Sequence, residues 1–284
     1  MATKQELMQQ RPKMGFSVYM SQDAVKRKID SVVGGKNGQR FITAIVSAVS
    51  NNEMLKQCDN NTIFASALIG ESLGLSPSPQ LKQYFIVPFN DKNRGMIAQF
   101  QLGYVGYIQL AIRSGYYKRI NVLEIKEGEL VKKFNPLTEE IEIEIIEDEN
   151  EREKAKTIGY YACYEYKNGF TKAIYWSREK MEAHALKYSQ AYRTDVNKGY
   201  KYSFWSKDFD TMGKKTMIRQ LISKWGIMSV DMQTAFENDM AVINDDGSKE
   251  YVDNKEDRNV IDITPVKEEK IDSTNDGQIS IDDL

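Results

Sequence analysis

The chain has 284 residues, of which 41% are hydrophobic, and a formal net charge of -2. This composition is sufficient for a sizeable buried core, and no run of 18 or more apolar residues indicates a membrane span. The start MATKQELMQQRPK contains no apolar signal region, so we expect a cytoplasmic protein without membrane contact. Cys58 and Cys163 are the two cysteines, and their number and spacing favour free core thiols over a disulfide framework or a zinc site.

Charge is distributed unevenly along the chain. Residues 241–284 contain 13 Asp and Glu against 5 Lys and Arg, a net of -8, which leaves a net of +6 for residues 1–240. A basic body with an acidic tail is typical of polyanion-binding proteins, although other solvated proteins share it. The tail lacks sustained periodicity, so we predict a mobile segment at 1–20, a folded body at 21–240 and a disordered tail at 241–284.

The first half of the body is predicted to contain helices followed by a hairpin. Helices are predicted at about 22–33, 39–51 and 61–73, and the third ends before Gly74, Pro77 and Pro79. The stretches YFIVPF and MIAQFQL, joined by the polar turn NDKNRG, predict two paired strands. A helix within LGYVGYIQLAIRSGYYKR is predicted to end at Gly115.

Residues from about 120 to 176 are predicted to be mostly strands. In EEIEIEII the isoleucines alternate with Glu142 and Glu144, which are expected to face water, and the other interpretation of this acidic cluster is a metal site. Asn168-Gly169 predicts a hairpin with a type I′ turn. Ser177 is predicted to cap a helix over 178–190, in which His184 is interpreted as packed or solvated, since no Cys or Ser partner is near it.

Two stretches place aromatic residues beside cations. One is Tyr116-Tyr117-Lys118-Arg119, and the other is RTDVNKGYKYSFWSKDF, which contains Lys201 and Lys207. Proteins that bind single-stranded nucleic acid combine the two residue types, because bases stack on the rings and phosphates pair with the cations. Tyrosines at a helix end are also common in protein cores, so both interpretations stay open.

The stretch DFDTMGKKTMIRQLISKW, residues 208–225, predicts one helix with an apolar sector. Lys215 and Arg219 lie one turn apart at the edge of that sector, and Lys214 points into it. A spacing of four residues is about 6 Å along a helix axis, close to the separation of successive phosphates, so the cations are expected to face an anion. The alternative is a solvated helix edge. GKKT is not a phosphate loop, because position 208 is Asp where that motif requires glycine.

Four stretches together resemble the RecT family of phage single-strand annealing proteins, over roughly residues 15–235. They are ALIGESLGLSPSPQLKQYFIVPFN, QFQLGYVGYIQLAIRSGYYKRI, the strand region ending in GYYACYEYKNGFTKAIYW, and FWSKDFDTMGKKTMIRQLISKW. One family pattern falls on Gly103, Tyr104, Gly106, Ile108, Leu110, Ala111, Arg113, Ser114 and Gly115. A second falls on Phe209, Met212, Lys214, Lys215, Thr216, Ile218 and Arg219, and Gly213 departs from it, since many relatives have alanine there.

The resemblance implies an α+β fold with a Rad52-like strand-strand-strand-helix core and added N-terminal and C-terminal helices. It implies a protein of the bacterial cytoplasm that is not an enzyme, needs neither ATP nor a cofactor nor a metal, and pairs single-stranded DNA with its complement during homologous recombination. Implied partners are single-stranded and annealed duplex DNA, further copies of the chain in a ring or helical filament, a phage 5′-to-3′ exonuclease and the host single-strand-binding protein. The alternatives are a passive single-strand coat and a metal-dependent nuclease using carboxylates between Glu139 and Glu153.

Eleven residues are expected to contact DNA, mainly through sugar and phosphate, because the other DNA strand must read the bases. They are Lys215, Arg219, Lys214, Lys118, Arg113, Arg119, Gln109, Lys207, Lys201, Tyr104 and Tyr107. Replacing Lys215 and Arg219 together with alanine is expected to abolish annealing without loss of stability, since both are predicted at the edge of the apolar sector.

Overall fold

A computed structural model describes residues 14–91, 94–244 and 247–251, which form an α+β structure. Before the first strand come α1 (Phe16–Met20), α2 (Asp23–Val33), α3 (Gly35–Ser50), α4 (Glu53–Gln57) and α5 (Asn60–Ser72). Their apolar faces form one core, in which Ile29, Ile45 and Ile63 are buried. Phe16 and Met20 are buried in the same core.

A hairpin and a helix connect this core to the rest of the body. The hairpin is β1 (Tyr84–Asp91) paired antiparallel with β2 (Gly95–Leu102), as predicted. The helix that follows, α6 (Tyr104–Ser114), ends at Gly115, whose φ of 77° lies in the left-handed region that glycine adopts without strain.

The main sheet has three antiparallel strands. They are β3 (Tyr117–Lys126), β6 (Thr157–Tyr166) and β7 (Thr171–Ser177), in the order β3-β6-β7. The connection from β3 to β6 contains β4 (Leu130–Lys132), β5 (Glu142–Ile143) and α7 (Glu149–Lys154). Within EEIEIEII, the stretch predicted to be strand, β5 covers only two residues, and these pair with the short strand β4.

The turn between β6 and β7 differs in type from the prediction. Tyr166 N donates to Phe170 O over 2.8 Å, which closes a three-residue loop. Within that loop Gly169, with a φ of 87°, is the residue in the left-handed region, whereas a type I′ turn requires Asn168 there as well. The hairpin itself is confirmed.

Helices complete the body after β7. They are α8 (Arg178–Tyr188), α9 (Gln190–Lys198), α10 (Phe204–Lys207), α11 (Phe209–Trp225) and α12 (Val230–Asn238). The predicted cap of α8 is confirmed, since Ser177 Oγ accepts from Lys180 N over 3.3 Å. His184 packs between Trp176 and Tyr188, at ring distances of 5.3 and 4.5 Å, which confirms its interpretation as a packed residue.

The second core lies between α11 and the main sheet. Met217, Ile218 and Leu221 of α11 are fully buried in the same cluster as Tyr160 and Ala162 of β6. The sheet lies close to the helix at Gly213, where a Cβ atom would lie 2.7 Å from Cε1 of Tyr160. The absence of a side chain at residue 213 lets the Tyr160 ring lie against the helix.

The folded body continues past residue 240. A short hairpin follows α12, with β8 (Val242–Ile243) paired to β9 (Lys249–Glu250). Ala241 and Val242 are fully buried, and Ala241 bridges to Phe100 of β2. Most of the segment predicted to be disordered lies outside the described residues. No helix within the described ranges is long and apolar enough to cross a membrane.

Candidate nucleic-acid interface

Lys215 and Arg219 of α11 both face the carboxylate of Asp239, which directly follows α12. Lys215 Nζ lies 3.1 Å from Asp239 Oδ1, and Arg219 Nε lies 3.4 Å from Asp239 Oδ2. Leu102 N donates to Oδ1 over 2.9 Å, and Tyr107 OH donates to Oδ2 over 2.7 Å. The two cations do face an anion, as their spacing predicts, but that anion belongs to the same chain.

Asp239 and Lys215 are buried, whereas the Arg219 side chain is 39% exposed, and the three groups affect each other's ionisation. Burial acts to raise the pKa of Asp239, but the charges of Lys215 and Arg219 and the hydrogen bonds outweigh it, so that the pKa is lowered and the carboxylate stays ionised. Burial and the Asp239 charge raise the pKa of Tyr107, which stays a donor. Lys215 is only 8% exposed, which rules out the alternative of a solvated helix edge for this residue, and Tyr107 is fully buried.

Lys214 has a carboxylate partner on the sheet. Its Nζ lies 3.0 Å from Oε2 of Glu124 on β3 and 5.7 Å from the ring centroid of Tyr104 at the start of α6. Glu124 also lies 4.0 Å from NH1 of Arg152, measured from Oε1. The Lys214 side chain therefore runs along the boundary between α6, α11 and β3, where it neutralises a half-buried acid.

A further charged cluster surrounds Asp210 in the first turn of α11. Its Oδ1 accepts from Tyr160 OH at 2.5 Å and from Arg178 NH1 at 3.0 Å, and its Oδ2 accepts from Thr157 Oγ1 at 2.9 Å. The Arg178 guanidinium also stacks 3.6 Å from the ring centroid of Phe209. Sequence reasoning did not select Arg178, and no local signal identifies it, because its partners lie 18 and 32 residues away.

The remaining cations that are predicted to contact DNA fall into two groups, those with a carboxylate nearby and those without one. Lys118 Nζ and Arg119 NH2 share Glu165, at 2.5 and 3.8 Å. Arg113 donates to the carbonyls of Leu73 and Gly74 and lies 3.8 Å from Asp231, while Gln109 on the same helix is half-buried. By contrast, Lys201 and Lys207 are exposed and have no carboxylate within 4.0 Å among the described residues. These two lysines are the predicted cations whose charge is not already neutralised.

Lys201 and Lys207 stand among exposed aromatic side chains. Tyr200, Tyr202 and Phe204 are 48%, 74% and 48% exposed. The rings of Tyr200 and Tyr202 lie 5.2 Å apart, and the ring of Phe204 lies 6.4 Å from that of Phe85 on β1. Sequence analysis singled out this stretch for its aromatic residues beside cations, but it selected only the lysines as DNA contacts.

A cleft of about 610 Å³ opens beside the edge strand β7. The aromatic residues that line it are Phe134, Tyr175, Trp176 and Trp225. Lys172 Nζ lies 3.8 Å from the ring centroid of Trp225 and pairs with Glu139. No group of three acidic, histidine or cysteine side chains that could hold a metal ion occurs within the part of the chain that the structure describes.

Residues 200–207 combine exposed lysines with exposed aromatic rings, the two residue types that proteins binding single-stranded nucleic acid use. The chain belongs to the RecT family, whose profile matches residues 39–258, and this confirms the resemblance carried by the four sequence stretches. It is 40% identical over 234 residues to the uncharacterized protein YqaK of Bacillus subtilis strain 168, covering 82% of this chain and 73% of that protein. It is 24% identical over 225 residues to Protein RecT of Escherichia coli strain K12, covering 78% of each.

Proposed function

We propose that this protein binds single-stranded DNA and pairs it with a complementary strand without ATP. The observation that carries the proposal is membership of the RecT family across residues 39–258, which include the main sheet, α6 and α11. The family's context is recombination by single-strand annealing. No nucleotide-binding loop enters the proposal, because GKKT lies inside α11 rather than between a strand and a helix.

The architecture supports a core related to that of the Rad52 annealing proteins. Three antiparallel strands, β3, β6 and β7, precede α11 in the chain, and α11 packs against the sheet through its apolar sector. The family resemblance implies strand, strand, strand and helix, and in this chain α8, α9 and α10 lie between β7 and α11. The helices α1 to α5 form the N-terminal addition and α12 the C-terminal one.

The predicted DNA contacts differ in how easily they can exchange a carboxylate for a phosphate. Lys201 and Lys207 have no carboxylate to give up among the described residues, and an exposed pair such as Lys118 with Glu165 exchanges at low cost. Lys215 is different, because removing it from Asp239 takes one of two cations away from a buried carboxylate and leaves only Arg219 to balance its charge. We therefore assign Lys215 mainly to holding α11 in place, and the exposed lysines to the phosphates.

Annealing requires that the protein leave base edges accessible to the second strand. Contacts to sugar and phosphate position a strand without reading its sequence, so a protein of this kind pairs any two complementary strands. Further copies of the chain in a ring or filament, a phage 5′-to-3′ exonuclease and the host single-strand-binding protein complete the proposed set of partners. These partners follow from the family and from no contact in the structure.

Two complementary oligonucleotides carrying a fluorescence donor and acceptor test the proposal. We expect the full chain to accelerate their pairing at low concentration without any nucleotide, and to leave two non-complementary oligonucleotides unpaired. A passive coat would bind both strands and slow their pairing, which would contradict the annealing function. Shortened strands after incubation with magnesium would instead favour the nuclease alternative.

A further inference from the structure

We propose that residues 199–207, called here the stacking loop, hold unpaired bases on Tyr200, Tyr202 and Phe204 while Lys201 and Lys207 contact the adjoining phosphates. The inference rests on the proposed function and adds the place at which bases are held. It follows from three properties of the stacking loop: which aromatic residues it exposes, what holds its backbone, and which charges accompany its rings.

The stacking loop separates its aromatic residues into an exposed and a buried set. Tyr200, Tyr202 and Phe204 point outward, whereas Trp205 is buried and its ring lies 4.9 Å from that of Phe209 beneath the loop. A large aromatic side chain contributes most to stability when it is buried. Three exposed rings within five residues therefore contribute little to the stability of the fold, and their flat apolar faces are accessible to a ligand.

The backbone of the stacking loop is held by one buried carboxylate. Asp195 Oδ2 accepts from Tyr202 N at 3.0 Å, from Ser203 N at 2.7 Å and from Ser206 Oγ at 2.6 Å. Tyr200 N donates to the carbonyl of Asp195 over 2.9 Å, and Gly199 makes the turn with a φ of 69°. The rings are thus presented by an ordered backbone, so a ligand that stacks on them does not have to order the loop first.

Charge decides which ligand suits these rings. Lys198, Lys201 and Lys207 are exposed and have no carboxylate within 4.0 Å among the described residues. An apolar protein partner would cover the rings but leave the lysines uncompensated, whereas a single nucleic-acid strand supplies both flat bases and phosphates. A duplex supplies phosphates but keeps its base faces stacked on each other, so the stacking loop selects unpaired bases.

The test compares a dT oligonucleotide with an abasic strand of the same length, which has the same phosphates but no bases. In the full chain, we expect Tyr202→Ala to weaken dT binding about 5-fold to 100-fold, as loss of a stacked base does, and to leave abasic-strand binding unchanged. Tyr202→Phe should retain dT binding, because the ring and not the hydroxyl stacks. Val230→Ala, which removes a 77% exposed apolar side chain from α12, is the matched control and should bind as the wild type does.

Three results would overturn the inference. Equal loss on dT and on the abasic strand would show that Tyr202 supports the phosphate contacts or the fold, and unchanged dT binding would show that no base stacks on it. A loss of self-association by Tyr202→Ala without loss of dT binding would make this surface a contact between copies. Failure of the wild-type chain to bind dT or to anneal would overturn the proposed function as well, and it would be seen before any substitution is made.

Discussion

Lys215 Nζ lies 3.1 Å from Asp239 Oδ1, and this ion pair joins α11 to the residue after α12 where the carboxylate has no solvent contact. The same carboxylate accepts from the backbone of Leu102 at the end of β2 and from Tyr107 on α6. One buried charge therefore connects the hairpin, α6, α11 and the end of α12. The spacing of cations along α11 serves this junction inside the fold.

Replacing Lys215 with alanine should destabilise the protein strongly, which reverses the expectation from sequence. Removing one partner of a buried ion pair costs roughly 3–5 kcal/mol, because the other charge stays buried. Arg219 remains beside Asp239 and should offset part of this cost. Urea unfolding should therefore show a large decrease in the free energy of unfolding of Lys215→Ala. Adding Asp239→Asn should restore part of that free energy, because it removes the buried negative charge. Lys207→Ala, at an exposed position, serves as the control. If Lys215→Ala were as stable as Lys207→Ala, the pair of Lys215 with Asp239 would not be structural.

Removing Lys201 and Lys207 together should weaken DNA binding without weakening the fold. Each phosphate contact to a single strand contributes about 0.7 to the slope of log affinity against log salt concentration, so the double alanine variant should lower the slope by about 1.4. Fluorescence anisotropy with a labelled oligonucleotide between roughly 50 and 200 mM salt measures it. Lys56→Ala, which removes a lysine paired with Glu53, is the control, and an unchanged slope in the double variant would remove these lysines from the DNA site.

His184 should titrate far below the ordinary range for histidine. Burial, with the charges of Arg219 and Lys187, lowers its pKa to about 4. In the unfolded chain the histidine takes up a proton at about pH 6.5. The stability that depends on neutral His184 is therefore fully present above that pH and falls as the pH decreases towards about 4. Because the chain has one histidine, its imidazole resonance reports the midpoint directly. His184→Gln should remove this part of the pH dependence, and a midpoint near about 6.5 would contradict the buried environment.

Gly213→Ala should destabilise the protein although alanine is the better helix former. The added Cβ would lie 2.7 Å from Cε1 of Tyr160, and overpacking of this kind costs about 1–3 kcal/mol against a helix gain of about 1 kcal/mol. In a Tyr160→Leu background the same substitution should be neutral or stabilising, because the ring is gone. A double-mutant cycle from thermal unfolding measures this coupling, and additive effects would contradict the contact.

Several elements followed from the sequence because their causes act over a few residues. The cap of α8 by Ser177, the end of α6 at Gly115 and the extent of α11 depend on side chains within one turn of the position they determine. The β1-β2 hairpin likewise joins neighbouring strands across a short polar turn. The family could be recognised for a related reason, since four local patterns in a fixed order are themselves a property of the sequence.

The turn at Asn168-Gly169 and the length of β5 depended on their surroundings. The dipeptide predicts a tight turn, but the pairing of Tyr166 with Phe170 adds a third residue to the loop. Alternating Glu and Ile residues predict a strand with one face towards water. In the described residues β5 pairs with the short strand β4, and the two form a separate two-stranded sheet. In both places the outcome depends on a neighbouring strand, which periodicity within one segment does not specify.

The partners of the α11 cations were decided only by the tertiary structure. Periodicity places Lys215 and Arg219 at the edge of the apolar sector and Lys214 within it, which favours an anion opposite them, but it does not show which anion that is. Glu124 and Asp239 reach these cations from a strand before the helix and from the end of the next helix. An ion pair depends on the distance between two side chains in space. When the two residues lie on separate elements, that distance is set by how the elements pack, which no local sequence pattern specifies. For that reason the sequence determined that α11 carries three cations, whereas the fold determined that Lys215 and Arg219 face Asp239. The fold also determined that Lys201 and Lys207, among the predicted DNA contacts, have no carboxylate within 4.0 Å in the described residues.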